Sequence, residues 1–392
     1  MNRDDIPDIP LSLHDDPIAP YVGRILSADG HLLEPRDLWT KRMDIKWRED
    51  APRVAPYRDR GDHFWIKGMD KPRPLAFEGP MADIKAEGGE ITKTQGYSWD
   101  DCRAGAWDPD ARLADQDIDG VSGEVIYPTL GLFLGNADDA DYAYAAIRAY
   151  NDALLEFCGA HPDRLKGMAM LPTKGPIEWA VQEIDRCLAK GTTGFMLPAF
   201  SPERQYNLGI WDVVWARLEE AGKVATFHLG GDTSEVYGRS HGPGAGGIIC
   251  AVKFFMNETM QQVIWGGAPM RFPKMRWSLC EGGIGWIACA IEYMDHWWMD
   301  HKGWMEPKLE RPPSYYFRRN FIGTFEDDYA GLLTRDLLGV ENLHWGADYP
   351  HTEGVWPFSR KYIARTFKDI PEAHTRMIVH DNIAKTFGFP MA

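Results

Sequence analysis

The stretch that decides the fold is "RILSADGHLLEPRDLW" at residues 24–39, where an apolar run ends abruptly in polar residues. Asp29 and His31 are two residues apart, and side chains two apart on a strand point to the same side. A carboxylate and an imidazole on one side of a strand end are both potential ligands of one metal ion. Two ligands do not make a complete metal site, so further ligands are to be sought at the ends of the other strands.

Similar apolar runs recur after residue 107 and alternate with helical patterns. They predict strands at 122–128, 165–172, 192–199, 223–231, 275–286, 321–326 and 342–351. Helices are predicted at 108–120, 139–160, 176–190, 209–222, 327–338 and 372–387. Alternation of this kind indicates parallel strands with helical crossovers. With the opening strand, eight strands favour an α/β fold of the TIM-like (β/α)8 barrel type over a doubly wound sheet.

An N-terminal arm and an insertion flank the opening strand. Residues 1–22 contain prolines at positions 7, 10, 17 and 20, which argue against a helix and predict an extended arm. Residues 40–107 are rich in Pro, Gly, Asp and Trp and lack clean periodicity. We therefore expect one metal-dependent barrel domain at 23–392, with an insertion at about 40–107.

Composition excludes several classes of partner. The 392-residue chain has a formal net charge of −15 and no run of Lys or Arg, so nucleic acid is not an expected partner. No apolar stretch reaches about 18 residues, and the N-terminus has no apolar signal core, so no membrane contact is expected. The six cysteines form no CxxC pair, which argues against zinc-ribbon and thioredoxin sites and favours a reducing, cytoplasmic location.

Tryptophan is abundant, with 16 residues in the chain. Such side chains supply rigid apolar surface for a core, a subunit interface or an aromatic pocket. Together with the arm and the insertion, they predict a homodimer or a larger homo-oligomer in which the arm or insertion crosses to a neighbour.

The carboxyl ends of the predicted strands, where barrel enzymes place their active sites, are unusually polar. The residues at these ends are Asp29, His31, His228, Glu281, Glu326 and Asp348. A single polar residue at a strand end is more often structural, but this combination would converge on one axis. Imidazole and carboxylate ligands suit Zn²⁺, Mn²⁺ or Fe²⁺ better than a metal that prefers thiolates.

Five short segments resemble the amidohydrolase-2 family of the amidohydrolase superfamily: "SADGHLLEP", "FHLGG", "EGGIGW", "HWGADYPH" and "DNIAKTFGF". That family includes α-amino-β-carboxymuconate-semialdehyde decarboxylase and γ-resorcylate decarboxylase. The resemblance runs from about residue 24 to residue 389, outside the insertion. It implies a barrel with one divalent metal ion, Zn²⁺ ahead of Mn²⁺ or Fe²⁺. By motif position, it implies metal ligation by Asp29, His31, His228 and Asp348.

The chain departs from the family pattern at two positions. Asp29 stands where the family has His or Glu, and Glu281 stands where many members have a sixth-strand His used in proton transfer or substrate binding. The fourth predicted strand, "TTGFMLPA", also lacks the lysine that usually bridges two metals in the superfamily. A site with a single metal ion is therefore expected.

The remaining site residues are predicted less directly. We expect catalytic roles for Asp348, Glu281 and His228, with Glu281 as a general acid or base, or as a partner that orients His228 or an arginine. Substrate contacts are predicted for His351, His241, Glu34, Arg53 and Trp286. The competing interpretations are a capping role for Glu34, surface positions for both histidines, core packing for Trp286, and Arg103 in place of Arg53. Glu326 is expected to be a surface or capping residue.

These residues suit three functions. The first is non-oxidative decarboxylation of a small aromatic or muconate-like carboxylic acid, with the metal as Lewis acid and template. The second is hydrolysis of a C–N, C–O or C–C bond by metal-bound water, with a base near Asp348. The third is a barrel that has lost its metal and binds a ligand, since fold does not imply function.

Overall fold

Eight parallel strands form one curved sheet in the computed structural model, which describes residues 19–69, 71–231 and 245–391. In chain order the strands are β1 (Ser27–Leu32), β2 (Arg53–Pro56), β3 (Asp62–Trp65), β4 (Arg73–Pro74), β5 (Glu124–Pro128), β6 (Leu165–Met170), β7 (Gly194–Phe200), β8 (Ala225–Gly231), β9 (Trp277–Cys280), β10 (Phe321–Phe325) and β11 (Leu343–Trp345). The order in the large sheet is β1-β5-β6-β7-β8-β9-β10-β11. Each strand therefore pairs with the next large-sheet strand along the chain.

The first and last strands of this sheet meet and close it into a barrel. Gly30 forms a parallel bridge with Tyr349, just beyond β11. The amide of Asp348 donates to the carbonyl of Asp29 over 2.9 Å, and the amide of His31 donates to the carbonyl of Tyr349 over 2.7 Å. The predicted (β/α)8 barrel is thereby confirmed.

Helices surround the barrel close to their predicted positions. The longer helices are Pro109–Asp119, Ala140–Ala160, Glu178–Leu188, Asp212–Ala221, Ala245–Val252, Met256–Trp265, Ile287–His301, Pro313–Asn320 and Ser359–Thr366. The shorter ones are Leu38–Arg42, Ala82–Ala86, Ala268–Arg271, Tyr329–Leu333, Arg335–Leu338, Glu372–Arg376 and Asn382–Phe387. Their ends follow local chemistry: Asp108 caps the helix that begins at Pro109, and Gly120 ends it with a φ of 76°. The predicted helices at 327–338 and 372–387 are each divided into shorter pieces.

The insertion has regular structure that its composition did not predict. It contains an antiparallel sheet of order β2-β3-β4 and the helix Ala82–Ala86. Phe64 of β3 is fully buried, and its ring centroid lies 5.4 Å from that of Trp39. The insertion therefore packs through this core contact against the segment that follows β1.

Two further features of the fold matter below. Asp119, at the end of its helix, accepts hydrogen bonds from the amide and hydroxyl of Ser359, which joins two segments distant in sequence. In the described part of the chain, no helix is long and apolar enough to cross a membrane. The predicted arm at 1–22 lies largely outside the described residues.

Candidate active site

His31 and His228 each fix one ring nitrogen against a backbone carbonyl. Nδ1 of His31 donates to the carbonyl of Pro128 over 2.7 Å, and Nδ1 of His228 donates to the carbonyl of Leu229 over 3.0 Å. A carbonyl oxygen can only accept, so Nδ1 carries the proton in both rings. In its neutral form each imidazole then presents the lone pair of Nε2 to the barrel axis, as a metal ligand does.

These Nε2 atoms converge with the carboxylates of Asp29 and Asp348. Nε2 of His31 lies 3.4 Å from Oδ1 of Asp29 and 3.1 Å from Oδ1 of Asp348. Nε2 of His228 lies 3.3 Å from Oδ1 of Asp29. All four side chains are fully buried, yet Nε2 of His31, Oδ2 of Asp29 and both oxygens of Asp348 have no hydrogen-bond partner. Lone pairs and carboxylates that face one space fit a divalent cation between them.

The electrostatics of the bare ligand set show how strongly it attracts positive charge. Burial alone raises the pKa of Asp29, but the neighbouring imidazoles of His228 and His31 outweigh it and lower the pKa to about 2. Burial lowers the pKa of His31, but Asp29 and Asp348 outweigh it and raise the pKa to about 10. A bound metal ion would take the place of the proton that His31 otherwise holds.

His351 lies beside this set. Its Nδ1 lies 3.1 Å from Oδ1 of Asp348, and its ring stacks on that of His31 with centroids 3.8 Å apart. Its Nε2 lies 3.7 Å from Oε2 of Glu78, in the insertion. His351 is therefore a buried neighbour of the ligand set and not a surface histidine.

Glu281 and Asp348 follow β9 and β11 in strained backbone conformations. Their φ values are 64° and 55°, a region that favours glycine. Oε2 of Glu281 lies 3.4 Å from Nδ1 of His228. Burial, reinforced by the charge of Asp348 and Glu353, raises the pKa of Glu281 well above its usual range. The structure thus places a third buried carboxyl group next to those of Asp29 and Asp348.

The sequence prediction missed an ion-pair cluster beside Glu281. Nζ of Lys253 lies 2.8 Å from Oε2 of Glu326 and 3.4 Å from Oε2 of Glu353. Glu326 is not the expected surface residue, because it is mostly buried; burial raises its pKa to about 8, although Lys253 lowers it in part. The sequence could have indicated Glu353, because it follows the predicted ligand Asp348 by only five residues. No sequence pattern indicated that Lys253 would lie near the site.

Glu34 has a structural role that replaces its expected contact with substrate. Its carboxylate is fully buried and accepts hydrogen bonds from the amides of Leu130 and Gly131, each over 2.8 Å. The capping interpretation is therefore the better one. The segment that Glu34 caps is Leu130–Asn136, however, and not the segment that directly follows Glu34 in sequence. This segment begins just after Pro128, whose carbonyl orients His31.

The other residues predicted to contact substrate lie in different parts of the structure. Arg53, a predicted substrate contact, is exposed on β2 and lies near Tyr142 of an outer helix, so it is not among the residues that the structure brings to the ligand set. Arg103 is held by Asp83 and Asp115. Trp286 is half-buried, donates to the carbonyl of Gly282 over 2.8 Å and packs on the core. His241 lies outside the described residues.

Comparison with known proteins places this geometry in a family. The curated γ-resorcylate decarboxylase of Rhizobium radiobacter is 26% identical over 238 residues, which cover 56% of this chain and 68% of that protein. An amidohydrolase from Mycobacterium avium subsp. paratuberculosis has a TM-score of 0.77 at 23% identity, covering 93% of this chain and 99% of that chain. A dihydroxybenzoic acid decarboxylase from Polaromonas, solved with bound manganese and 2-nitroresorcinol, has a TM-score of 0.63 at 17% identity, covering 94% and 97%. The amidohydrolase family model matches residues 63–389, and the chain belongs to that family.

Proposed function

We propose that this protein is a metal-dependent enzyme that decarboxylates a small aromatic carboxylic acid without oxidation. The observation that carries the proposal is the convergence of buried, unpartnered ligand atoms beside a further carboxyl group, that of Glu281. The names of the relatives, decarboxylases of dihydroxylated benzoic acids, support the same chemistry.

Asp29, His31, His228 and Asp348 are the residues that would hold the ion. Two imidazoles and two carboxylates suit Zn²⁺, and also Mn²⁺ or Fe²⁺. When bound, a divalent ion supplies Lewis-acid stabilisation of negative charge on substrate oxygens and a template that orients them. His351, stacked on His31, is the candidate histidine contact for the substrate.

Glu281 supplies the proton that replaces the carboxyl group. The bond between the ring carbon and the carboxylate breaks, carbon dioxide leaves, and the electron pair left on the ring carbon takes the proton of Glu281. The raised pKa of this buried carboxyl group favours a proton donor at neutral pH. Asp348, whose pKa is lowered by His351 and His31 against the effect of burial, stays a carboxylate.

Arg73 replaces Arg53 as the candidate cation for the substrate carboxylate. Its Cζ lies 3.7 Å from the ring centroid of Phe133, and its Nε lies 3.4 Å from Oε1 of Glu78. Glu78 in turn lies 3.7 Å from His351. The insertion thereby brings a guanidinium close to the ligand set, where it lies on an aromatic ring of the segment Leu130–Asn136, a pairing suited to a planar carboxylate.

The test is a pair of substrate panels for the metal-loaded protein. Hydroxybenzoates and muconate semialdehydes are scored for carbon dioxide release, and esters, lactones, amides and ring-cleavage products are scored for hydrolysis. We expect turnover of the first panel, with E281Q lowering kcat far more than it raises KM. E49Q, at an exposed glutamate, is the matched control. Hydrolysis of the second panel without carbon dioxide release would identify a hydrolase, and no turnover would favour a ligand-binding barrel.

We also infer a homo-oligomer located in the cytoplasm. Tyr293, Met299 and Trp304 are 64%, 67% and 66% exposed on one helix and the turn after it, an apolar surface suited to subunit contact. All six cysteines are free thiols, which suits a reducing compartment. Light scattering of the intact chain and of a form lacking residues 1–22 tests the assembly, and a monomer at micromolar concentration for the intact chain contradicts it.

A further inference from the structure

The thiol of Cys280 lies on the inner face of the barrel beside the ligand set. Cys280 is the last residue of β9 and is fully buried. In the parallel pairing of β8 with β9, it is the register partner of His228. Register partners on neighbouring strands point to the same face of a sheet, so the sulfur and the imidazole share one space.

Distances place the sulfur within reach of an ion held by its neighbours. Sγ of Cys280, a carboxylate oxygen of Asp29 and a ring nitrogen of His228 all lie within 4.8 Å of one another. Independently of the cysteine, Oδ2 of Asp29 is buried in this space without a hydrogen-bond partner. The hydrogen bond from Sγ, to the carbonyl of Ala28, is long at 3.8 Å. The sulfur thus lies beside a buried carboxylate oxygen that lacks a hydrogen-bond partner.

We propose that Cys280 is a sulfur ligand of the divalent ion, together with Asp29 and His228. The inference rests on the metal site of the proposed function and adds a ligand to it. As the metal–sulfur bond forms, the S–H bond breaks and its proton is released to solvent. The ligand set then contains one thiolate in addition to imidazole and carboxylate.

A thiolate ligand changes which metal the site prefers. Sulfur ligands favour Zn²⁺ and Co²⁺ over Mn²⁺, which prefers oxygen. This chain is therefore expected to prefer Zn²⁺, whereas the decarboxylase from Polaromonas was solved with bound manganese. Removal of Cys280 should therefore weaken Zn²⁺ binding by about tenfold or more and leave Mn²⁺ binding nearly unchanged.

A matched control is available in Cys158. Its thiol is also buried, on the outer helix Ala140–Ala160, and burial raises its pKa as it does that of Cys280. No metal-ligating group that the structure describes clusters with Cys158. The variants C280A and C158A therefore each remove a buried thiol, and only the first removes one beside the site.

The experiment replaces the native ion with Co²⁺ in the intact protein and records its absorption spectrum. We expect a sulfur-to-cobalt charge-transfer band in the near ultraviolet for wild type and C158A, and none for C280A. Competition between Zn²⁺ and Mn²⁺ is measured on the same three proteins, and circular dichroism checks that each is folded.

Three results would overturn the inference. They are bound Co²⁺ without a charge-transfer band in wild type, a band that persists in C280A, and no binding of Co²⁺ at all. The last result would also remove the metal site on which the proposed function rests, whereas the first two would leave that function intact. If wild type shows the sulfur-to-cobalt band but the metal-loaded protein releases no carbon dioxide, the proposed function is contradicted and the inference about the sulfur ligand stands.

Discussion

At the scale of single residues, the site depends on which ring nitrogen each histidine exposes. His31 and His228 both donate from Nδ1 to a carbonyl within or next to a barrel strand, and so present Nε2 to Asp29 and Asp348. The sequence contains the four ligands and their order, but the carbonyl partner of His31 belongs to another strand. Orientation of this kind depends on tertiary packing and has no local sequence signal.

H228A is expected to lose most of the bound metal while the barrel survives. A domain of this size has a core that does not depend on the ion, because Trp211, Trp215 and Trp277 are fully buried beside β8 and β9. Metal analysis by mass spectrometry and circular dichroism together check this. Wild-type metal content in the variant would remove His228 from the ligand set.

D119N is expected to change how stability depends on pH. Burial raises the pKa of Asp119 to about 7, although hydrogen bonds from Ser359 lower it in part. Between about pH 4 and pH 7 the folded state holds a proton that the unfolded state has released, so the free energy of unfolding falls as pH rises. The loss is at most about 4 kcal/mol for a shift of this size.

In D119N the side-chain carboxamide can accept from the amide of Ser359 and donate to its hydroxyl, so the variant keeps both contacts and removes the titration. Urea unfolding of both proteins across this pH range is the measurement. The free energy of unfolding of wild type should fall relative to that of D119N as pH rises. Parallel curves for the two proteins would show that Asp119 does not titrate in this range.

At the scale of elements, the strands were predicted well and the insertion was not. Most barrel strands are nearly continuous apolar runs, which have a strong signal, and all eight were found, although the predicted ends of β9 and β11 lie six residues beyond the observed ones. The strands β2 to β4 are two to four residues long, and β2 and β4 are partly exposed, so they carry almost no periodicity. Glu326 was misassigned for a related reason, since its partner Lys253 lies 73 residues away in sequence.

E34A is expected to loosen the segment Leu130–Asn136 and, through it, the metal site. The change leaves two buried amides without an acceptor, at about 1–3 kcal/mol each. Because the carbonyl of Pro128 orients His31, metal affinity should fall as well. Thermal unfolding and metal titration measure the two effects. E34Q, which keeps one acceptor oxygen, should lie between wild type and E34A; an unchanged stability of E34A would contradict the capping role.

At the scale of the whole molecule, the proposed ion joins the two ends of the barrel. Asp29 and His31 lie on β1, and Asp348 follows β11, so the ligand set spans the seam where the sheet closes. The backbone contacts across this seam are few, since Gly30 and Tyr349 form an isolated bridge. Ion binding should therefore stabilise this part of the barrel more than the opposite side.

Removal of the ion by a chelator is expected to leave a folded protein with a local weakness. An ion present at about 100 times its dissociation constant contributes about 2.7 kcal/mol, so the melting temperature should fall without loss of cooperative unfolding. Amide hydrogen exchange should accelerate more in β1 and β11 than in β6 and β7. Uniform acceleration over all strands would show that the ion does not act at the seam.

The left-handed backbone at Glu281 and Asp348 has a consequence for how this gene can evolve. Glycine or asparagine would relieve strain of about 1–3 kcal/mol at each position and also remove a buried carboxylate. A duplicated copy freed from selection for catalysis would therefore gain stability by drifting to those residues. Paralogues that carry glycine or asparagine at both positions should be more stable than this protein and should lack the decarboxylase activity. The residues at these two positions should therefore distinguish active from inactive paralogues in a genome.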